Sequence, residues 1–155
     1  MLNIYLISNN AIKTIIRAEW CKSEPFGKEK DNYNKPDKAA IPKLLTKENI
    51  LNKSGNIELC GDKSLMDKLF PNLTRCLHPK QFVSLLTLSR LVGTECPGLN
   101  SLFSGLDLSI CKSKQQKRME YKVVDFDERV NKISIHVDSA MLCGIINHII
   151  EINCS

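Results

Sequence analysis

Between His78 and Ile110 the apolar residues change their spacing from one helical turn to every second residue, and the change falls on Pro97-Gly98. Phe82, Leu85, Leu86, Ser89 and Val92 share one face at 3.6-residue spacing. Pro79 suits a first helical turn and Gly93 a stop, so the spacing predicts a helix over 78–92. Beyond Pro97-Gly98, Leu102, Ser104, Leu106, Leu108 and Ile110 alternate with Phe103, Gly105, Asp107 and Ser109, which predicts a strand with one well-buried face. Met119, Tyr121 and Val123 repeat that alternation, as do Ile133, Ile135 and Val137 across an Asp127-Glu-Arg turn. Cys143 to Ile152 reads as a last strand, apolar on both faces. One long buried helix followed by four strands on short turns implies an α+β domain, an antiparallel sheet curling around a helix.

The first part of the chain is less regular. Leu2 to Ile7 reads as a strand, and Ala11 to Trp20 as a short helix or a second strand. From Lys22 to Lys43, Pro25, Gly27, Pro36 and Pro42 punctuate a Lys/Asp/Asn-rich stretch with too few apolar residues to form a core. The expected organisation is an N-terminal extension (1–21), a linker or disordered loop (22–43) and the main domain (44–155). Thr46 is a helix cap ahead of Glu48, and Ser54-Gly-Asn reads as a turn.

A chain of 155 residues with 43% hydrophobic content suits one ordinary domain plus an extension. Its 22 Lys+Arg against 17 Asp+Glu are dispersed, and aromatics, at 6%, do not interleave with a basic cluster, which argues against a nucleic-acid partner. No run of about 18 apolar residues exists to span a membrane. Asn9, Asn10 and Lys13 interrupt any signal-peptide core, so a cytoplasmic location is expected. The seven cysteines have no CxxC or CxxH spacing and read as reduced thiols, neither a metal site nor a disulfide framework. His136 and His148 show no ligand spacing either, and no cofactor is expected.

Particular segments carry a family resemblance. Leu77-His78-Pro79 opens the helix, Ser89-Arg-Leu-Val-Gly93 closes it, Cys96-Pro97-Gly98 follows, and the strand from Ser101 to Leu108 comes next. Tyr121 to Arg129 looks like a penultimate hairpin, and Cys143-Gly144-Ile145 like a glycine-containing last strand. In order and spacing this resembles the hot-dog fold of the MaoC-like acyl-thioester hydratases and dehydratases, over roughly residues 44–152 and most closely over 77–110. The resemblance implies an acyl-CoA or acyl-carrier-protein partner, a homo- or heterodimer of hot-dog domains, and (3R)-hydroxyacyl-thioester dehydratase or enoyl hydratase chemistry.

That chemistry needs a carboxylate and a histidine to activate one water, on a Gly-Asp-x-Asn-Pro-x-His type segment ahead of the helix. Two alignments are open. The preferred one sets Gly55-Asn56 to Cys60-Gly61 there, with Asn56 in the Asp position and Gly61 in the His position; the other keeps Asp62 but puts Asp67 in the His position. Both lose the histidine. Asn56, Cys60 and Asp62 remain as weak catalytic candidates, with Asp62 read first as a turn residue. His78, Pro97 and Gly98 are the substrate-binding candidates, each also explicable locally, His78 by helix-start hydrogen bonds and Pro97-Gly98 by chain reversal. Cys96 reads as a small buried hydrophobe, and Glu95 as the one carboxylate near the helix for a thioesterase. The expectation is a diverged family member, or a non-catalytic module that binds acyl thioesters or pairs with an active subunit.

Overall fold

A computed structural model describes residues 2–8, 11–18, 33, 41, 46–98, 101–111 and 115–150. The chain forms two compact units, Met1–Lys30 and Asp31–Ser155. In the first, β1 (Leu2–Ser8) and β2 (Ala11–Ala18) make an antiparallel hairpin, so the second segment is a strand. The expected linker lies outside the described residues except for Ile41, which is exposed, and Tyr33, which packs against the core of the second unit.

In the second unit, α1 (Lys47–Ile50) is one short turn. Ser54-Gly-Asn, expected as a turn, instead opens a strand, β3 (Ser54–Glu58), because Tyr121 and Lys122 offer it a backbone partner that local sequence does not reveal. Two short helices follow, α2 (Lys63–Leu69) and α3 (Pro71–Cys76), then α4 (Pro79–Arg90), which continues through a wider π-helical turn to Glu95. Strands β4 (Ser101–Ile110), β5 (Arg118–Asp127), β6 (Lys132–Asp138) and β7 (Leu142–Ile150) complete a five-stranded antiparallel sheet in the order β3-β5-β6-β7-β4. No helix among the described residues is long and apolar enough to cross a membrane.

The register explains which side chains meet α4. Val123, Ile135, Ile146 and Leu106 form one row across the sheet, and Phe126, Ile133, His148 and Phe103 form the next. The central members of these rows are buried and join Phe82, Val83, Leu88 and Leu91 of the long helix in a single core. Two expectations about faces need correction. On the helix the buried set is Lys80, Gln81, Phe82, Val83, Ser84, Thr87, Leu88, Leu91 and Val92, Leu85 and Leu86 of the expected face pack partly buried against the core, and Ser89 is exposed. The shift has a polar cause: Ser84 donates to the Lys80 carbonyl (2.7 Å) and accepts from Ser139 (2.9 Å), which pins the β6–β7 turn to the helix. On β4 the expected buried face is mostly exposed, since β4 is an edge strand. A bulge between Phe103 and Gly105 also changes its phase: Leu102 points to the outer face, and Phe103, Leu106 and Leu108 to the helix side.

The cysteines need a third correction. Cys111 and Cys143 form a disulfide between the end of β4 and the start of β7, with Cα atoms 6.2 Å apart. The antiparallel register sets Ser109 opposite Cys143 and so brings Cys111 to its diagonal, a proximity that spacing along the chain does not reveal. Cys60, Cys76 and Cys96 are free.

Candidate functional site

Asp62 starts the local geometry. Its extended backbone and its side chain, which accepts from the Leu65 N–H (3.3 Å), cap α2. The helix then sets Met66 into the core and leaves Leu65 and Leu69 beside a groove, with Phe70 at its end. Phe70 is held edge-on to Phe82 of α4 (centroids 5.6 Å apart). The opposite wall is α4 itself, through Leu86, Thr87 and Arg90, and Cys60-Gly61 join the two walls. Gly61 allows this approach, because a Cβ there would come within 2.8 Å of a Val83 methyl. The groove encloses about 260 Å³.

Its polar content is small. Cys60 is a free, half-buried thiol, and Arg90 donates to the Glu58 carbonyl (2.8 Å). Thr87 is 2% exposed, and its hydroxyl has no hydrogen-bond partner. A buried hydroxyl without a partner is costly, on the order of 1–3 kcal/mol. No histidine is among the lining residues.

The sequence-derived candidates are therefore divided. Cys60 and Asp62 meet in the groove. Asn56 lies on β3, exposed, accepting from Arg118 (3.1 Å), and Gly55 beside it makes room for the Tyr121 phenol. Asp67 is exposed on α2, where its hydrogen bond from Lys63 (2.7 Å) lowers its pKa. His78 caps α4: its Nδ1 accepts from the Lys80 N–H (3.2 Å), and its own N–H donates to Gln81 (3.0 Å), a reciprocal box. Pro97 and Gly98 are buried beyond the other end of the same helix, where the Gly98 N–H bonds to the Val92 carbonyl (3.0 Å) and φ is 86°. A helix of this length rises about 25 Å, so His78 and Pro97-Gly98 do not share one site.

Around Gly98, Cys96 is fully buried and burial pushes its thiol up to about 11, while the Glu95 carbonyl accepts from Lys53 (2.6 Å) as a cation at a helix C-terminus. His136 is exposed on the outer face of β6. No group of three or more His, Cys, Asp or Glu suited to a metal ion occurs among the described residues.

Leu65, Leu69, Phe70, Thr87 and Arg90 were not among the sequence-derived candidates. An apolar stripe at Leu65, Met66, Leu69 and Phe70 behind the Asp62 cap is the signal that could have found the first wall. Nothing along the chain marks Thr87 as a hydroxyl that packing leaves without a partner. No protein-family model, curated protein or solved structure matches the chain.

Proposed function

We propose that the second unit is a hot-dog domain related to the MaoC-like hydratases that binds an acyl thioester without hydrating it. Support for the scaffold comes from the order of elements: one strand, then the helix, then four strands of which the first crosses to the far edge of the sheet. The resemblance over residues 77–110 points the same way. The observation that carries the function is the α2–α4 groove, apolar along α2 and lined from α4 by Leu86, Thr87 and Arg90, with a thiol and a capping carboxylate but no imidazole to activate water. The acyl chain lies along Leu65, Leu69, Phe70 and Leu86, and its carrier remains in solvent. Pairing with a second hot-dog domain uses β4, an edge strand of ten residues whose outer backbone groups have no partner strand among the described residues.

Calorimetric titration with butyryl-, octanoyl- and lauroyl-CoA tests the reading. Affinity is expected to rise by up to about 0.8 kcal/mol per methylene until the groove is full. Crotonyl-CoA is expected to keep its enoyl absorbance in the presence of the protein. Equal weakness toward all chain lengths sinks the binding assignment, and turnover of crotonyl-CoA lost in Asp62→Asn restores the hydratase.

A further inference from the structure

His148 and the start of β4 meet at the edge of the sheet. His148 is wholly buried on the helix side of β7, and neither ring nitrogen has a hydrogen-bond partner. Its row neighbours are Ile133 of β6 and Phe103 of β4, whose ring stands edge-on to the imidazole at 4.2 Å and is itself 44% exposed. Of these two strands, β6 lies between two others, whereas β4 has the single neighbour β7. The β4–β7 ladder is also interrupted by the bulge between Phe103 and Gly105, which sets Ser101, Leu102 and Phe103, opposite Ile150, Ile149 and His148, apart from the rest of the strand. The Cys111–Cys143 disulfide ties down the far end. We propose that Ser101–Phe103 is an acid-released flap: protonation of His148 frees this first part of β4 from β7, and the strand beyond the bulge stays in place.

A neutral imidazole without partners leaves two polar atoms unsatisfied, and an imidazolium puts an unpaired charge into the core, which is far more costly. The helix sides of β4, β6 and β7 carry no other titratable side chain among the described residues. On β5 the one such group is Tyr121, two rows away, and the β5–β6 turn keeps Glu128 and Arg129 exposed. On the helix, Lys80 lies at the start, Arg90 is bonded to the Glu58 carbonyl, and Glu95 and Cys96 lie at the far end. The causes that act on His148 are burial, which pushes its pKa down to about 4, and against it the Leu102 backbone. On release the ring meets water and takes up its proton near the ordinary 6.5. The open form is then the more protonated one, so its population is lowest above about pH 7 and rises as pH falls through 6.5 toward 4. Between pH 7.5 and pH 5 the gain is roughly thirtyfold. Neither an acyl thioester nor a second copy of the chain takes part.

Amide hydrogen exchange of the full chain at pH 7.5 and pH 5, expressed as protection factors so that the intrinsic pH dependence of exchange cancels, tests the flap. The expected result is a roughly thirtyfold loss of protection in the bonded amides of Ser101–Phe103, with Leu106–Ile110 and the amides of β5 and β6 unchanged. His148→Phe and His148→Leu, which take up no proton, are each expected to abolish the response while β5 and β6 keep their protection. Cys111→Ser combined with Cys143→Ser is expected to carry the loss on to Ile110. Equal loss in all five strands means that acid unfolds the unit as a whole, and it overturns the flap. A response that survives in both His148 variants overturns it too, as does protection at Ser101–Phe103 that stays constant with pH in the wild type.

Discussion

His148 is the most exposed to consequence of any single residue, because it is wholly buried with both ring nitrogens unpartnered. It sits in the row between Ile133 and Phe103, whose ring meets it edge-on at 4.2 Å. Burial pushes its pKa down to about 4, and the Leu102 backbone opposes that shift without reaching hydrogen-bonding geometry. The unfolded chain binds the proton near the ordinary value of 6.5, so it is the more protonated state at intermediate pH. Stability is then full above about pH 7 and falls as pH drops from 6.5 toward 4, by up to about 3 kcal/mol from this group. Urea unfolding at a series of pH values checks this: His148→Phe is expected to remove most of the slope, and an unchanged slope refutes the assignment. Gly144 offers a second residue-scale prediction. Its φ is +153°, and a Cβ there would run into the Asp107 carbonyl and the Leu108 Cα of β4. Gly144→Ala is expected to cost about 2 kcal/mol or more in thermal unfolding, chiefly by pushing β4 off β7.

At the scale of elements, β4 is an edge strand, bonded to β7 on one side and lightly covered by the helix. The Cys111–Cys143 disulfide fastens its end to β7. Cys111→Ser is expected to lower stability by about 3 kcal/mol in non-reducing urea titrations. Dithiothreitol should bring the wild type to the same midpoint, and identical midpoints for both proteins in both buffers would mean the bond does not form. This element also marks where the sequence is legible and where it is not. The alternation over Leu102–Ile110 locates the strand and the facing of Leu106 and Leu108, but the bulge at Phe103–Gly105 turns Phe103 rather than Leu102 toward the helix, and only the pairing with Asn147 and His148 fixes that. The helix start is legible in full, because His78, Pro79 and Gln81 act locally. Its buried face is not, because Ser84 is held by Ser139, a residue 55 positions away. Cys60 and Asp62, singled out along the chain, line one groove, whereas Thr87 becomes notable only through what packing denies it.

At the scale of the whole molecule, β4 is a sheet edge with no second partner strand among the described residues, and it carries exposed apolar side chains. On its helix side Phe103 is 44%, Leu106 45% and Ile110 53% exposed, while Leu102 and Ile149 are exposed on the outer face. An apolar edge strand of this kind is a site for pairing or aggregation. Pairing with the same strand of a second copy about a two-fold axis satisfies the backbone groups and covers both apolar sets, and it closes on itself as filament growth does not. Sedimentation velocity of the full chain is expected to give a dimer at micromolar concentration. Leu106→Lys with Ile110→Lys places like charges opposite each other across such a seam and is expected to shift the protein to monomer with its far-ultraviolet circular dichroism unchanged. A wild-type monomer at those concentrations, or a dimer that survives both lysines, rules out β4 as the seam.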